Sequence, residues 1–270
     1  MDITLLTENT ANKRGLLAEH GLSVLIEHGG RRILFDTGQS GVYAANAGRL
    51  GVSLDGLDGI VLSHGHYDHT GGLPQFPGKL PAIYASGLAF EDKLCRNAGS
   101  EDFRRIGIPW RERRRDFPVH ETGEKEEIFP GFYVLSRIPA VLPQEPAPGL
   151  FFIKKDGVLL PDLMQDEQLL IVRMEEGLAV FAGCAHVGIL NCLKYVAETF
   201  PGEHIFLLLA GMHLRGYGRK RLEDTAAGLR EYGISHMIPL HCTGAEAAVY
   251  LKQEFGVSCH LAEAGKRFHF

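Results

Sequence analysis

The sequence has no long apolar run and no paired cysteine motif. No stretch approaches the ~20 consecutive apolar residues of a membrane-spanning helix, and the first residues lack the basic-then-apolar layout of a signal peptide. The cysteines number only five and include no CxxC pair. We therefore expect neither a membrane partner nor a disulfide framework, and a reduced, cytoplasmic setting.

An excess of basic residues is also absent. The 270-residue chain has 28 Lys and Arg against 33 Asp and Glu, a formal net charge of −5. Proteins that coat nucleic acid need a basic face to neutralise phosphates, so this balance predicts no nucleic-acid partner. We expect a small-molecule substrate, with a phosphorylated compound as one option. The sequence leaves the formation of a homo-oligomer open.

Alternating and apolar runs predict strands in both halves of the chain, with helices between them. Residues 22–27 and 31–35 are two such runs joined at Gly29-Gly30, which is typical of a β-hairpin. The second half restarts the pattern and ends in a predicted strand at 257–261. Two sheets packed face to face with helices outside would bury these runs. We predict one α/β (α+β) domain over residues 1–270, with helices at 42–50, 189–200, 221–232 and 244–255.

Residues 86–148 interrupt this pattern, and we predict an insertion or lid there. Six arginines at 104–115 are followed by four glutamates at 121–127 and a proline-rich loop. Guanidinium groups bind phosphate or pyrophosphate bidentately, which makes Arg104, Arg105 and Arg111 candidate substrate-binding residues. The alternative is a solvated segment whose charge the glutamates balance.

The run His64-Gly65-His66-Tyr67-Asp68-His69 carries the strongest chemical signal. Residues two apart on an extended loop point the same way, so His64 and His66 can share one cation. Asp68 and His69 can bind a second cation or complete the coordination of the first one. Imidazole and carboxylate donors predict one or two divalent cations, with Zn as the first choice and Fe, Mn or Mg as alternatives.

One loop alone does not close a tetrahedral site. His186 and His241 each follow a predicted buried strand or its glycine exit, so we predict that they supply further ligands. Cys184 and Cys242 neighbour these histidines. For the two cysteines, a position beside the metal and a small buried packing role are both open.

The order of these motifs resembles the metallo-β-lactamase superfamily. Residues 64–69 match its HxHxDH signature, and Leu34-Phe35-Asp36-Thr37-Gly38 is similar to its strand-end aspartate, which supports the site. Gly183-Cys184-Ala185-His186 and Pro239-Leu240-His241-Cys242 match its later histidine motifs. The resemblance implies a four-layer αββα sandwich with the site on one edge. It also implies a first metal held by His64, His66 and His186, and a second held by Asp68, His69 and His241, with a metal-bound water or hydroxide as nucleophile.

The bridging aspartate of that family is missing from the sequence. This chain reads Leu209-Ala210-Gly211-Met212-His213 where the carboxylate is expected. Met212 does not replace a hard bridging ligand, whereas His213 can bind one metal, orient substrate or lie behind the ligands. We therefore expect a second metal that is weaker or held differently, and we take Asp68 and His213 as candidate catalytic residues.

Two further motifs narrow the resemblance. Glu19-His20-Gly21-Leu22-Ser23 and His241-Cys242-Thr243-Gly244 are similar to a branch that contains archaeal-type dihydropterin synthases and bacterial metal-dependent hydrolases. His20 is a candidate substrate contact. Our first expectation is a hydrolase that acts on a small phosphoester, pyrophosphate or cyclic ester. The alternatives are a transferase that joins a dihydropterin pyrophosphate to an arylamine ribose phosphate, and a non-catalytic metal- or ligand-binding protein.

Overall fold

The computed structural model describes residues 1–97, 99–145 and 149–270, which form a mixed α/β structure. The end of the predicted insertion, at residues 146–148, lies outside the described residues. In chain order the elements are β1 Asp2–Thr7, β2 Ser23–His28, β3 Arg31–Phe35, α1 Val42–Leu50, β4 Gly59–Val61, α2 Tyr67–Thr70, β5 Ala82–Ala85, β6 Asp92–Arg96, β7 Phe103–Arg105, β8 Val119–Glu121, β9 Lys125–Phe129, β10 Phe132–Ser136, β11 Phe151–Lys155, β12 Val158–Pro161, β13 Gln168–Arg173, β14 Leu178–Ala182, α3 Ile189–Thr199, β15 Ile205–Ala210, α4 Arg219–Glu231, β16 His236–Pro239, α5 Ala245–Phe255 and β17 Arg267–His269.

The chain divides into two compact units. The first unit comprises Met1–Thr122, Pro148–Asp166 and Glu263–Phe270, and the second comprises Gly123–Ala147 and Glu167–Ala262. In the part of the chain that the structure describes, we find no helix with the length and apolar character that a membrane crossing requires.

The main sheet of the first unit has seven strands in the order β17-β1-β2-β3-β4-β5-β8. The predicted hairpin of β2 and β3 turns at Gly29 and Gly30, whose φ angles of 56° and 74° fit a type I′ turn. Strands β3, β4 and β5 pair parallel. Asp36 directly follows β3 and Ser63 lies just beyond β4, so the parallel pairing brings these two residues to the same edge of the sheet.

Helix α1 covers one face of this sheet. Its Tyr43 and Ala47 are fully buried in an apolar cluster with Leu34, Ile60 and Ile83 from three adjacent strands. A glycine at position 51, with a left-handed φ of 67°, ends the helix as predicted. This packing fixes the strands whose ends carry the histidine run.

The first unit also contains a four-stranded antiparallel sheet in the order β12-β11-β6-β7. Strand β7 holds Arg104 and Arg105. The predicted insertion contributes β6 and β7 to this sheet, while β8 extends the seven-stranded sheet and β9 and β10 belong to the second unit. The predicted boundaries at 86 and 148 therefore enclose residues that serve three different sheets, and the existence of a lid stays a prediction.

The second unit is built on a six-stranded sheet in the order β16-β15-β14-β13-β10-β9. Strands β14, β15 and β16 pair parallel, with α3 and α4 as the connecting helices. Helix α3 buries Leu190, Leu193 and Val196, three residues at helical spacing, as predicted. The C-terminal ends of the three parallel strands lead into the motifs that contain His186, His213 and His241.

The predicted last strand at 257–261 is wrong. Gly256, with a φ of 59°, follows α5, and residues Gly256–Ser258 form a short 3-10 helix. Val257 is 89% exposed, so its apolar side chain does not mark a buried strand. A single bridge joins Cys259 to Met237. The final strand is instead β17, which pairs antiparallel with β1.

Candidate metal centre

Three histidines of the predicted run lie together in the first unit. The ring centroid of His64 is 4.5 Å from that of His66 and 4.3 Å from that of His69. All three side chains are buried. The backbone is extended at His66 before α2 begins at Tyr67. The extended loop thus brings His64 and His66 together, and the first turn of α2 presents His69 to them.

Asp36 fixes the orientation of His69. Its Oδ2 accepts a hydrogen bond from His69 Nδ1 at 2.6 Å, and both side chains are completely buried. The same carboxylate accepts the backbone N–H and the hydroxyl of Ser63, each at 2.7 Å. Because Nδ1 is engaged, Nε2 of His69 is the atom left to bind a cation.

The Nε2 edge of His69 faces a second donor. Nε2 of His69 lies 3.8 Å from Oδ2 of Asp68. Zinc binds nitrogen and carboxylate oxygen at about 2.0–2.2 Å, so two ligand atoms on one tetrahedral ion lie roughly 3–4 Å apart. The pair therefore has the separation that ligands of one cation need.

Burial favours the neutral form of His64. Removal from water lowers the pKa of the imidazole well below its usual range, and the neighbouring His69 and His66 lower it further. Ser63 Oγ lies 2.9 Å from its Nδ1. A neutral imidazole is the form of histidine that ligates metals.

A buried ion-pair network is hydrogen-bonded to the backbone of the histidine run. Lys93, only 1% exposed, lies 2.6 Å from Asp162 and 2.8 Å from Asp166. Burial alone would lower the pKa of Lys93, but the two carboxylates outweigh it and raise that pKa. Asp166 also accepts the backbone N–H of Gly65 at 2.8 Å. A side chain at Gly65 would collide with the carbonyl of Ala89, so this close approach requires glycine.

The structure places the candidate substrate residues of the first unit in two groups. His20, with a half-exposed side chain, has its Nε2 3.1 Å from Oδ2 of Asp68. Arg104 is hydrogen-bonded to the side chain of Tyr67, inside the histidine run. Arg105 and Arg111 instead share one carboxylate, with nitrogen-to-oxygen distances of 3.8 Å and 3.2 Å to Asp92. His20 thus contacts a predicted ligand directly, Arg104 contacts Tyr67 next to that ligand, and Arg105 and Arg111 are paired with a carboxylate.

In the second unit, a buried carboxylate is hydrogen-bonded to the backbone of the loop that carries His186. Glu167, almost completely buried, accepts the backbone N–H groups of His186 and Val187 at 2.8 Å and 3.0 Å. The ring of His213 lies 4.7 Å from that of His186, and His213 is exposed. His213 is therefore placed to reach a molecule in solvent beside a predicted ligand.

The second unit also gathers thiols around His241. One ligand atom from each of Cys184, His241 and Cys242 lies within 4.8 Å of the others, and all three residues are buried. The sequence left the role of these cysteines open. The three together form a nitrogen and sulfur donor set that fits a borderline or soft cation such as zinc.

Several site residues adopt backbone conformations that non-glycine residues rarely use. Asp36, Ala185, His213 and His241 have φ angles of 60°, 49°, 48° and 53°. Such residues cost of order 1–3 kcal/mol each and persist where the surrounding structure imposes them, commonly at functional sites. Each of the four lies in a loop that follows a strand, where functional side chains are commonly placed.

Sequence reasoning missed Lys93, Asp162, Asp166 and Glu167. The only available signal was the acidic pair before an apolar strand, because buried carboxylates must have partners. Within each unit the donor chemistry fits a divalent transition metal: imidazoles with a carboxylate in the first, imidazoles with thiols in the second.

Known proteins resemble this chain in sequence and in structure. Residues 17–200 match the family model of the metallo-beta-lactamase superfamily. The chain is 29% identical to the 7,8-dihydropterin-6-methyl-4-(beta-D-ribofuranosyl)-aminobenzene-5'-phosphate synthase of Methanocaldococcus jannaschii, covering 94% of this chain and 90% of that protein. It is 33% identical to an uncharacterized protein of the same organism, covering 93% and 94%. A solved structure of a metal-dependent hydrolase of the beta-lactamase superfamily has a TM-score of 0.88 at 32% identity and covers 100% of this chain and 99% of that one.

The chain belongs to the metallo-β-lactamase superfamily. The predicted family and the predicted mixed α/β fold class are confirmed. This superfamily binds divalent metals and consists mostly of hydrolytic enzymes, and the described residues include His, Asp and Cys clusters that could hold a metal.

Proposed function

We propose that the protein is a metal-dependent hydrolase of small phosphorylated substrates. In this proposal His64, His66 and His186 bind one divalent cation, and Asp68, His69 and His241 bind a second. The observation that carries it is the fully buried pair of His69 and Asp36, with Nδ1 and Oδ2 2.6 Å apart. A carboxylate that orients the far side of a histidine is the usual support of a metal ligand.

A divalent cation bound here would lower the pKa of a bound water toward the neutral range and polarise the phosphoryl oxygen. The protein's own contribution is positioning and proton transfer. His20 lies at hydrogen-bond distance from Asp68, so the pair can take up the proton that the attacking water loses. The exposed imidazole of His213 can donate a proton to the leaving oxygen.

A phosphate group would be bound by Arg104. Its guanidinium lies on β7, contacts Tyr67 in the histidine run, and is exposed to solvent. Arg105 and Arg111 already share Asp92, so they bind an anion less readily. Guanidinium forms bidentate hydrogen bonds with phosphate, which gives both affinity and orientation.

The test is a metal and activity measurement on the same preparations. Protein stripped with a chelator and reloaded with Zn, Mn or Fe would be assayed on phosphomonoesters, phosphodiesters, pyrophosphates and lactones. We expect His64→Ala and His66→Ala to lose both metal and activity. His204→Ala is the control. It removes an exposed imidazole that is hydrogen-bonded to Ser235, and it should keep both metal and activity. Full metal content in the first two variants would refute the assignment of these ligands.

A transferase is the second candidate, supported by the 29% identity to the dihydropterin synthase over most of both chains. In that reaction a carbon–oxygen bond of a pterin pyrophosphate breaks and diphosphate leaves with the bridging oxygen, while the arylamine nitrogen bonds to that carbon and loses a proton. Hydrolysis at phosphorus would instead put a solvent oxygen into the released phosphate.

Reactions in ¹⁸O-labelled water separate the two mechanisms. Labelled phosphate or diphosphate supports the hydrolase, whereas unlabelled diphosphate with a coupled product supports the transferase. A metal-loaded protein that is inactive with every substrate would favour a non-catalytic, ligand-binding role.

A further inference from the structure

Three loops of the second unit meet at the carboxyl ends of its parallel strands. The loop after β14 carries Cys184, and the loop after β16 carries His241 and Cys242. Between them, the loop after β15 begins at Gly211. Because β15 is the central one of the three strands, any side chain at its end lies between the other two loops.

Gly211 leaves room for sulfur at this position. A Cβ at Gly211 would collide with the carbonyl oxygen of Gly183 and would lie 2.8 Å from Cys242 Sγ. The β15 end thus supplies neither a carboxylate nor any side chain here. The space is taken by the Cys242 thiol, which is directed toward the loop that carries Cys184, with Sγ 3.7 Å from the Cys184 carbonyl oxygen.

The backbone is arranged to stabilise a thiolate. His213 donates its N–H to Cys242 Sγ at 3.3 Å. His213 adopts a left-handed φ of 48° in doing so. Hydrogen bonds from peptide N–H groups to sulfur are a recurring feature of cysteine ligands in metal sites, because they spread the negative charge of the thiolate.

We propose that Cys184 and Cys242 are thiolate ligands of the cation that His241 binds. This inference rests on the proposed function and deepens it. The sulfur donors take the place of the carboxylate that is absent after β15. Each thiol gives up its proton to solvent as it binds, so metal loading releases protons.

Such a set of donors selects among cations. Two thiolates with one imidazole favour zinc, or another borderline or soft cation, and disfavour Mg and Mn, which prefer oxygen ligands. With His241 the two thiols supply three donors from the second unit, so Asp68 and His69, the other ligands proposed for this cation, compete with water and substrate for the remaining tetrahedral position.

Cobalt substitution tests the proposal directly. Chelator-treated full-length protein would be titrated with Co²⁺ and followed by absorbance. We expect a near-ultraviolet band from thiolate-to-cobalt charge transfer, weakened in Cys184→Ser and in Cys242→Ser and lost in the double variant. Cys192→Ala is the matched control, because Cys192 is a buried thiol of the same unit, within α3, and its band should equal that of the wild type.

A second measurement needs no variant. X-ray absorption at the zinc edge of the wild-type protein should show sulfur neighbours at about 2.3 Å beside nitrogen or oxygen neighbours at about 2.0–2.1 Å. A spectrum that shows only the shorter zinc-to-nitrogen or zinc-to-oxygen distances would overturn the proposal. This test holds even if the variants fail to fold.

The outcomes also separate this inference from the proposed function. Bound Co²⁺ without a charge-transfer band, or a band that survives in the double variant, overturns the thiolate ligands and leaves the metal-dependent hydrolase standing. A wild-type protein that binds neither Co²⁺ nor Zn²⁺ overturns both.

Discussion

Asp166 and Glu167 are consecutive residues, and each carboxylate accepts backbone N–H groups from a loop that carries predicted metal ligands. Asp166 Oδ2 lies 2.8 Å from the nitrogen of Gly65. Glu167 accepts from the nitrogens of His186 and Val187 at 2.8 Å and 3.0 Å. A charge-assisted hydrogen bond to the backbone fixes a loop before any metal arrives, so less order must be imposed on binding.

Glu167→Gln should weaken metal binding at His186. The amide has one oxygen that accepts and one NH₂ that does not, so one of the two N–H groups faces a donor. We expect metal affinity to fall about 10–100-fold, the usual effect of disturbing residues behind a ligand. Chelator competition with Zn²⁺ measures it. Glu203→Gln, which changes a surface ion pair with Arg173, is the control and should alter affinity little. Equal affinities for both variants would contradict the bracing role.

Lys93→Met should destabilise the first unit strongly. It leaves the carboxylates of Asp162 and Asp166 buried without their cation, and breaking a buried ion pair in this way costs about 3–5 kcal/mol. Urea unfolding gives the change in free energy. The triple variant Lys93→Met/Asp162→Asn/Asp166→Asn removes all three charges and should recover part of the loss. If the single and triple variants have the same free energy of unfolding, the loss of stability does not come from the unpaired charges.

The same network predicts a loss of stability in alkali. The Lys93 pKa is raised in the folded protein, because Asp166 and Asp162 outweigh the effect of burial. Glu91 also lies in this electrostatic environment. A raised pKa of a cation stabilises the fold below the unfolded value of about 10.4 and loses that contribution as pH rises through the folded pKa. The wild type should therefore lose stability relative to the triple variant above about pH 10.4. If the free energy of unfolding changes with pH equally in the two proteins above that pH, the prediction is wrong.

The positions of the candidate ligands in the fold could be predicted from the sequence where the signal is local. His64 and His66 are two residues apart on an extended segment, and His186 and His241 each follow a parallel strand, so spacing and strand ends sufficed to place them. Their binding of metal stays a prediction. Lys93 gave no such signal. A lysine is almost never fully buried without a partner, and its partners here lie on a distant segment of the chain.

The fold shows the same division between local and distant information. The hairpin at Gly29-Gly30 follows from its own turn residues. Strand β17 depends on β1, at the opposite end of the chain, and its sequence Arg267-Phe268-His269 has only one buried residue. The apolar residues near Val257 misled the prediction because they are exposed, which periodicity alone does not reveal.

Asp36→Asn should reduce metal binding while the fold is kept. The amide retains the shape of the carboxylate but loses the charge that orients His69, at 2.6 Å from its Nδ1. We expect metal affinity to fall about 10–100-fold. Asp58→Asn is the matched control in the same unit, because it also removes a carboxylate that accepts a backbone N–H, that of Arg32. Metal content after dialysis, with circular dichroism to verify folding, measures the effect. An Asp36 variant that retains full metal would show that His69 is oriented without this carboxylate.

Ala185→Gly should stabilise the protein. Ala185 has a φ of 49°, a conformation that glycine adopts without strain, and it lies in the loop that carries Cys184 and His186. Relief of strain of order 1–3 kcal/mol exceeds the roughly 0.4–1 kcal/mol that the extra freedom of glycine in the unfolded chain costs. Ala226→Gly, in the buried face of α4, is the control and should destabilise by about 1 kcal/mol. Thermal unfolding of metal-free protein should move in opposite directions for the two variants. A lower melting temperature for Ala185→Gly would mean that the alanine methyl group contributes more packing than its backbone loses in strain.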